Sequence, residues 1–395
     1  MNEIELDVLI FGGGVAGLWL LDELQRRSHR VLLLERRALG AGQTICSQGI
    51  LHGGLKYSLS GLVDRSSKAV AEMPARWRAS LDGRQPPDLR GVRVLSPHCH
   101  MWRTDSLVSR AGLLAAQAVV RTPLERVAVE DRPGALAKCP GDVFRVEEQV
   151  LDVASLLHSF LAIHADRILQ IGDDAPEFAP SANGTVRVGI TAEDGAKDVT
   201  IHCKTVVLAA GEGNADLRKR AGLDVDAMQV RPLHMVMVRG NLPTLYGHCV
   251  DGNKTRATIT TNVDRAGRTI WNVGGEVSEK GAELDCAALL DFAREELHRV
   301  LPGVDFGGTQ WAAYRINRAE GRNLGNRRPE GVVWRREGCY LTAWPTKLVL
   351  APQLACEIAD SLPPPSQLNE PKLLSDWPRP QVALPPWDMN QEWTS

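Results

Sequence analysis

One segment near the start of the chain constrains the fold more than any other: residues 8–35 read VLIFGGGVAGLWLLDELQRRSHRVLLLE. Residues 8–11 have the length and apolar character of a buried parallel strand, and residues 31–34 form a second apolar run. Between them, residues 18–27 have one apolar and one charged helix face. Because the glycines that join the first strand to the helix have the G-x-G-x-x-G spacing, the segment predicts a βαβ unit that binds a dinucleotide.

Each glycine of this turn has its own predicted task. Gly12 permits the tight turn, Gly14 lets a pyrophosphate approach the backbone, and Gly17 lets the helix pack closely on the strand. The helix that begins around Val15 and Ala16 then turns its unused N–H groups toward the phosphates. We therefore assign the pyrophosphate to this turn.

An acidic residue ends the second strand at the distance expected for a ribose contact. Glu35 lies 23 residues after Gly12, where its carboxylate can accept hydrogen bonds from two ribose hydroxyls. A carboxylate here argues against NADP, because it would face a 2′-phosphate of the same charge. The neighbouring Arg36 and Arg37 keep that alternative open.

Length and composition exclude several classes of function. The chain has 395 residues, enough for two to three structural units, with 44% hydrophobic residues and a net charge of −2. This balance argues against disorder and nucleic-acid binding, and favours a small-molecule substrate. The eight cysteines form no C-x-x-C pair, which argues against a zinc or iron–sulfur site and favours a reducing compartment.

The first predicted strand begins close to Met1, which leaves no room for a secretory signal, and the apolar stretch 8–21 is too short to span a bilayer. We therefore expect a cytoplasmic protein without a transmembrane segment. The sequence leaves open whether it forms an oligomer.

The remaining pattern predicts a discontinuous α/β domain, with a mixed parallel sheet, and a second α+β domain built on an antiparallel sheet. Residues 204–211 form an apolar strand that ends in small residues and returns to the first sheet, whereas residues 229–276 are rich in strands separated by turns. We assign 1–57, 151–225 and 325–362 to the first domain, 58–150 and 226–324 to the second, and 363–395 to an extended proline-rich C-terminal arm.

The loop after Glu35 is rich in small residues from Gly40 to Gly54, a composition suited to close contact with a flat ligand. Its residues 44–57, TICSQGILHGGLKY, resemble the I-H-G-G-x-R-Y loop of glycerol-3-phosphate dehydrogenases and the G-V-I-H-A-G loop of 2-hydroxyglutarate dehydrogenases. Together with the βαβ unit, the strand 206–211 and a C-terminal strand-to-helix passage, this loop resembles the FAD-dependent oxidoreductases of the D-amino-acid oxidase and glycerol-3-phosphate dehydrogenase superfamily.

The resemblance implies that the first domain is a Rossmann-like FAD domain and that the glycine-rich turn binds FAD. It places Glu35 on the adenosine ribose, a residue near Ile168 on the adenine, and the loop 47–54 along the isoalloxazine ring. The further cofactor contacts that it implies are Arg36, Gln43, Ser47, Gln48, Gly49, Ala210 and Gly211.

The strand-to-helix passage near the C-terminus has a direct electrostatic interpretation. Thr346 can cap a helix that begins near Lys347, and a helix N-terminus aimed at the flavin pyrimidine stabilises the negative charge that gathers there on reduction. Lys347 can add a full charge, with Leu348 beside it. The related dehydrogenases have G-G-K-x-T here, whereas this chain has WPTKL at 344–348, so Lys347 could instead be a solvated residue at a helix start.

Flavin-dependent oxidation also needs a substrate anchor and a base. The resemblance places Arg315 where the family has G-x-R-P, with Arg318 as the second choice, and a surface ion pair is the alternative role for either. His52 is the candidate general base, since imidazole titrates near neutral pH, but it could instead hydrogen-bond or attach the flavin. Further candidates for lining the pocket, with sheet packing as the alternative, are Tyr57, His234 and Tyr314.

These features predict FAD-dependent oxidation of a small amine or hydroxy substrate, such as an amino acid, a hydroxy acid or a polyol phosphate, by hydride transfer to flavin N5. The electron acceptor could be oxygen, a quinone or a carrier protein. A flavin monooxygenase is the runner-up among enzymes, although the chain lacks the late G-D-A-A-H type motif. From another class, the chain could be a non-catalytic flavin-binding subunit of a larger complex.

Overall fold

The computed structural model describes residues 2–53, 65–104, 125–174, 176–181, 184–192, 198–252, 254–322, 329, 331–344, 347–366, 374 and 376–395. Within these ranges, none of the helices has the length and apolar character needed to cross a bilayer.

The first sheet is built around the predicted βαβ unit. Strand β1 pairs in parallel with β2 on one side and with β11 on the other, and the order across the sheet is β17-β18-β11-β1-β2-β8, with β10 and β9 attached to β11. The strands of this sheet are β1 (Asn2–Phe11), β2 (Val31–Glu35), β8 (Ile168–Gln170), β9 (Glu177–Pro180), β10 (Val186–Thr191), β11 (Asp198–Leu208), β17 (Val333–Glu337) and β18 (Tyr340–Trp344).

The second sheet is mostly antiparallel and has the order β16-β12-β15-β14-β13-β4-β6-β5, in which only β13 and β4 run parallel. Its strands are β4 (Cys99–Trp102), β5 (Glu125–Arg126), β6 (Val143–Val146), β12 (Met228–Arg239), β13 (Gly247–Asp251), β14 (Lys254–Val263), β15 (Thr269–Gly274) and β16 (Gln310–Gly321). Two short strands, β3 (Val94–Ser96) and β7 (Val150–Leu151), pair separately. The predicted fold class, a Rossmann-like α/β sheet with a second antiparallel-sheet unit, is confirmed, whereas the domain boundaries stay a prediction.

Helices cover both sheets and enclose separate apolar cores. The α-helices described are α1 (Val15–Arg26), α2 (Arg65–Leu81), α3 (Val153–His164), α4 (Asn214–Arg220), α5 (Glu276–Gly281), α6 (Cys286–Val300) and α7 (Ala351–Asp360). Helices α1, α3 and α7 bury their apolar faces against one side of the first sheet. Helix α6 buries Leu289, Ala293 and Leu297 against the second sheet.

The expected C-terminal helix begins slightly later than its sequence suggests. The passage after β18 continues as a 3-10 turn, Leu348–Leu350, and becomes α-helical only at Ala351. Pro352 then stands in the first helical turn, where its missing N–H is not needed. The turn and the helix still follow β18, which pairs in parallel with β11 in the first sheet.

The last twenty residues contact both sheets and contain one 3-10 turn, Pro386–Asp388. Val382 bridges Leu39 beside the glycine-rich turn, and the indole of Trp377 donates to the carbonyl of Gln170 at 2.6 Å. Further along, Thr394 bridges Trp311 of β16. The segment thereby fastens the two sheets to each other.

A half-buried histidine in the second sheet makes stability sensitive to acid. Burial and the nearby His98 and Arg145 lower the pKa of His100 to about 4. The imidazole of the unfolded chain takes up a proton near pH 6.5, whereas that of the folded chain does so only near pH 4. The contribution of His100 to the free energy of unfolding is therefore complete above about pH 6.5 and is lost as the pH falls toward about 4. The difference in free energy of unfolding between His100→Gln and the parent protein should shift by about 1 kcal/mol in favour of the variant when the pH is lowered from about 7 to about 5. Urea unfolding at both pH values measures this difference. An identical difference at both pH values would contradict this explanation.

Candidate functional site

A cavity of about 730 Å³ lies where the carboxyl ends of β1 and β2 face the second sheet. The first sheet and its loops line one side, and strands β12, β14, β15 and β16 line the other. The predicted residues that line it are Gly12, Gly14, Val15, Ala16, Glu35, Arg36, Gln43, Ser47, Gln48, Gly49, His52, Ala210, Gly211, Lys347 and Leu348. Most of the predicted cofactor contacts are thus brought together around one space.

The glycine-rich turn has the close packing that its sequence predicts. Gly12 has φ of 110°, and a Cβ at this position would lie 2.6 Å from the carbonyl oxygen of Ala209. A Cβ on Gly17 would lie 2.0 Å from the carbonyl oxygen of Gly12. Helix α1 can therefore pack on β1 only because Gly17 lacks a side chain, and Gly17 itself does not line the cavity.

The N-terminus of α1 opens into the cavity. The first intrahelical bond runs from the N–H of Leu18 to the carbonyl of Gly14, so the helix itself does not use the N–H groups before Leu18. Thr44 accepts one of them, from Val15, at 3.1 Å. Sequence reasoning missed Thr44, whose hydroxyl ties the loop 40–53 to the phosphate end of the cavity.

Glu35 lies at the other edge of the turn and is held by two backbone donors. Its Oε2 accepts from the N–H of Gly13 at 2.7 Å, and its Oε1 accepts from the N–H of Arg37 at 2.8 Å. These bonds orient the carboxylate at the end of β2, where it lines the cavity. A ribose that lies here meets a fixed pair of acceptor oxygens.

The predicted adenine contact at Ile168 needs correction. Ile168 is fully buried in the core beneath α1 and α3, because its side chain points to the helix-covered face of the first sheet. The residue that lines the cavity from this strand is Ile171, one position beyond β8, together with Asp174 and Pro176. The sequence predicted the strand, but the residue of this segment that faces the cavity is Ile171 rather than Ile168.

The loop 40–53 is fixed between the two sheets by side-chain amides. Gln48 donates from Nε2 to the carbonyls of Thr258, at 2.9 Å, and Asn272, at 2.8 Å. Gln43 accepts from the N–H of Ala319 at 3.0 Å. These bonds hold the small residues of the loop against the cavity and connect it to the second sheet.

His52 is partly exposed and contacts two buried side chains, Glu148 and His248, in a cluster that the sequence did not reveal. Its Nδ1 lies 3.3 Å from Oε2 of Glu148, and Nε2 of His248 lies 3.2 Å from the same oxygen. Burial alone would raise the pKa of Glu148, but the imidazoles of His52 and His248 hold it well below its usual range. The three side chains could also hold a metal ion, since one ligand atom from each lies within 4.8 Å of the others.

The expected anchor Arg315 does not reach the cavity. The side chain of Arg315 is exposed on β16, where it donates to the carbonyls of Ala282 and Leu284 at 3.0 and 2.7 Å. Arg318, the second choice, lines the cavity, and its side chain is 17% exposed. Its guanidinium lies 3.3 Å from Oε1 of Glu279.

Two other predicted pocket residues are packing residues. The hydroxyl of Tyr314 contacts the carbonyl of Cys46 and Oδ1 of Asn272, at 3.3 and 3.2 Å, and burial raises its pKa well above the usual range. His234 is buried on β12, with its Nδ1 3.2 Å from the carbonyl of Gly281. Neither lines the cavity. Tyr57 and Thr346 lie outside the described residues.

Lys347 reaches the cavity at the end of the strand-to-helix passage. It is 8% exposed and stands immediately before the turn Leu348–Leu350, whose first residue also lines the cavity. A cation and a helix start therefore face the same space. A cation and a helix N-terminus together stabilise a group that carries or gains negative charge.

The cavity offers the features that FAD requires. The hydroxyl of Ser47 is buried and has no hydrogen-bond partner among the described residues. A Cβ on Gly42, which has φ of 102° and lines the cavity, would meet nothing within 4 Å. The N-terminus of α1 suits an anionic group, and the carboxylate of Glu35 suits a ribose. The hydroxyl of Ser47 offers a hydrogen-bonding group to a ring that lies between α1 and Lys347. The residues present thus fit the dinucleotide that the glycine-rich turn implies.

Comparisons with known proteins agree with this geometry. A family model described as "FAD dependent oxidoreductase" matches residues 7–343. A relative named "Probable FAD-dependent oxidoreductase" from Pseudomonas aeruginosa is 39% identical over 396 residues and covers 98% of both chains. The glycine oxidase of Geobacillus kaustophilus is 29% identical over 253 residues, which is 60% of this chain and 63% of the relative.

Solved structures resemble the whole chain. A crystal structure of an FAD dependent oxidoreductase from Pseudomonas aeruginosa has a TM-score of 0.81 at 37% identity and covers 98% of both chains. A glycerophosphate oxidase from Mycoplasma pneumoniae, solved with FAD bound, has a TM-score of 0.65 at 15% identity and covers 99% of this chain and 100% of that one. At this lower identity the likeness shows the fold alone.

Proposed function

Because the chain belongs to the family of FAD-dependent oxidoreductases, we propose that it oxidises a small hydroxy or amine substrate that carries an anionic group. FAD is its cofactor, which removes the NADP alternative; when bound, it supplies a hydride acceptor at N5. The observation that carries the proposal is that His52 and Arg318 line one cavity from its two sides.

We assign the two ends of FAD from the residues that line the cavity. The turn 12–17 and the start of α1 bind the pyrophosphate, Glu35 binds the adenosine ribose, and Ile171 contacts the adenine. The residues of the loop 43–52 that line the cavity would hold the isoalloxazine ring. The N-terminus of Leu348–Leu350 and the charge of Lys347 stabilise the negative charge that gathers on the ring during reduction.

His52 is the proposed general base. Its Nδ1 is held by Glu148, which orients the ring on the cavity wall. Nε2 would take the proton from the substrate hydroxyl or ammonium group, and bound FAD would accept the electron pair of the C–H bond as hydride. Imidazole suits this step because its proton affinity matches neutral pH.

Arg318 is the proposed substrate anchor. Its fork of N–H donors matches a carboxylate or phosphate group, which would compete for it with the carboxylate of Glu279. Since the side chain is mostly buried, water screens the resulting ion pair only weakly. Binding here holds the reactive carbon at a fixed distance from His52 on the opposite wall.

A substrate panel tests this function. We expect anaerobic mixing of the FAD-loaded protein with amino acids, hydroxy acids and glycerol phosphate to bleach the visible flavin band for one of these classes. The matched neutral analogue, the methyl ester or glycerol, should leave the band intact because it lacks the anionic group. Equal bleaching by the charged and neutral members would contradict an anionic anchor.

Two arginines of one strand form a matched pair for the anchor. We expect Arg318→Gln to raise the KM of the bleaching substrate by about 10- to 100-fold, the loss expected for a charged hydrogen bond of about 1.5–3 kcal/mol. Arg315→Gln removes the same charge from the outer face of β16 and should leave KM unchanged. Steady-state kinetics with equal FAD loading compare the two, and a larger effect of Arg315→Gln would reverse the assignment.

The electron acceptor and the cellular location belong to the same proposal. Oxygen, a quinone or a carrier protein could take the electrons from the reduced cofactor, and the cytoplasmic location remains the prediction made from the cysteines. Reoxidation of the bleached protein by air, by a soluble quinone or by neither distinguishes these acceptors.

A further inference from the structure

A chain of hydrogen-bonding side chains runs from the cavity into the second sheet. Glu148, two residues after β6, is 4% exposed and lies between His52 on the cavity wall and His248 on β13. Its Oε2 is 3.3 Å from Nδ1 of His52 and 3.2 Å from Nε2 of His248. Its Oε1 accepts from the N–H of Gly53 at 3.0 Å, which fixes the plane of the carboxylate.

The far end of the chain is also fixed. Nδ1 of His248 lies 2.9 Å from Oγ1 of Thr258, and the two residues are directly paired across β13 and β14. His248 is 3% exposed. Its ring thus has a defined partner on each side, and Thr258 itself lines the cavity.

The charge of Glu148 determines where the protons lie. An ionised carboxylate only accepts hydrogen bonds, so each ring nitrogen that faces it must carry a proton. His52 is therefore protonated on Nδ1, which makes Nε2 its basic nitrogen. His248 is protonated on Nε2, so its Nδ1 accepts from the hydroxyl of Thr258.

We propose that Glu148 and His248 are positioning residues that hold His52 in the tautomer with a basic Nε2, an inference that rests on the proposed role of His52 as the base. In the reaction the substrate O–H or N–H bond breaks and the Nε2–H bond forms, so His52 becomes an imidazolium ion beside the Glu148 carboxylate. That carboxylate stabilises the positive charge as it develops, without taking the proton itself. His248 and Gly53 keep the carboxylate in place.

A divalent metal ion is the competing occupant of this cluster. Both rings meet the same carboxylate oxygen at hydrogen-bond distances of 3.2 and 3.3 Å, which two N–H donors account for without an ion. The experiment below therefore includes the metal content of the protein as a result that would contradict the proposal.

The test compares Glu148→Gln with Glu147→Gln, which removes the same charge from the exposed neighbour. In the ¹⁵N-histidine-labelled, FAD-loaded protein, long-range ¹H–¹⁵N spectra report which nitrogen of His52 is protonated, and His52→Gln identifies its signals. We expect Nδ1 protonation in the parent protein and in Glu147→Gln. In Glu148→Gln the amide can donate to Nδ1, so the proton should move to Nε2, and kcat for flavin reduction should fall by about 10²-fold with little change in KM.

Three results would overturn the proposal: an unchanged His52 tautomer in Glu148→Gln, an equal loss of kcat in Glu147→Gln, or an equimolar metal that is present in the parent protein and absent from Glu148→Gln.

If Glu148→Gln fails to bind FAD, His248→Gln provides the second variant. It should keep the His52 tautomer, because Glu148 remains, and lower kcat less than tenfold; a full tautomer change there would also contradict the assignment. A correct tautomer in a loaded protein that no substrate reduces would reject the proposed function and leave this arrangement intact.

Discussion

Replacing His52 by glutamine is expected to slow flavin reduction by about 10²- to 10⁴-fold, the usual contribution of a general base, while FAD loading stays complete. The reason is geometric: His52 lines the cavity with its Nδ1 held by Glu148, so the ring is placed for proton transfer rather than for packing. Anaerobic stopped-flow measurement of the bleaching rate, with a substrate found in the panel, gives the size of the effect.

The control for this variant is His158→Gln, which removes an exposed imidazole of α3 that belongs neither to the cavity lining nor to the cluster. It should reduce flavin at the parental rate. Loss of FAD from His52→Gln would instead support the second role that the sequence allows, a contact or attachment to the flavin. A parental bleaching rate in His52→Gln would remove His52 from the mechanism altogether.

Replacing Gly17 by alanine is expected to abolish most FAD binding. The new Cβ would lie 2.0 Å from the carbonyl oxygen of Gly12 and 3.3 Å from the side chain of Leu33, so α1 must move away from β1 and carry the phosphate-binding N–H groups with it. Overpacking of this kind costs about 1–3 kcal/mol of folding free energy. The ratio of flavin to protein absorbance and urea unfolding of the same sample measure the two effects.

Gly134→Ala is the matched substitution, because a Cβ at that position would meet nothing within 4 Å. It should keep full FAD loading and parental stability. Full loading of Gly17→Ala would show that the helix tolerates the displacement, and the role of this glycine in cofactor binding would have to be abandoned.

The sequence predicts the part of the site that is local in the chain. Strand, glycine turn, helix and acidic strand end follow one another within residues 8–35, and each has its own pattern of apolar residues or glycines. The structure places Gly12, Gly14 and Glu35 around one cavity accordingly. A supersecondary unit of this kind can be predicted because few long-range contacts decide its form.

Side-chain direction was harder to predict, because a shift of one residue along a strand changes the face. Arg315 and Arg318 lie three positions apart on β16, and only Arg318 faces the cavity. Ile168 and Ile171 differ in the same way at the end of β8. The sequence identified both segments, but it carried no signal for which residue of each segment faces the cavity.

The Glu148 and His248 contacts have no local signal at all. Glu148 lies 96 residues from His52 and 100 from His248 along the chain, and the three meet only when the loop after β2 is laid against the second sheet. In the sequence, Glu148 stands between Glu147 and Gln149, and nothing distinguishes it from these polar neighbours. Its burial, which makes it informative, is a property of the tertiary structure.

The most direct test of the central claim is an anaerobic titration of the FAD-loaded protein with the reactive member of the panel. If the cavity is the site where a substrate C–H bond is oxidised, one equivalent of substrate should bleach one equivalent of flavin and yield one equivalent of the carbonyl or imine product. The contradicting result is a protein with full flavin content that dithionite bleaches and that no amino acid, hydroxy acid or polyol phosphate reduces.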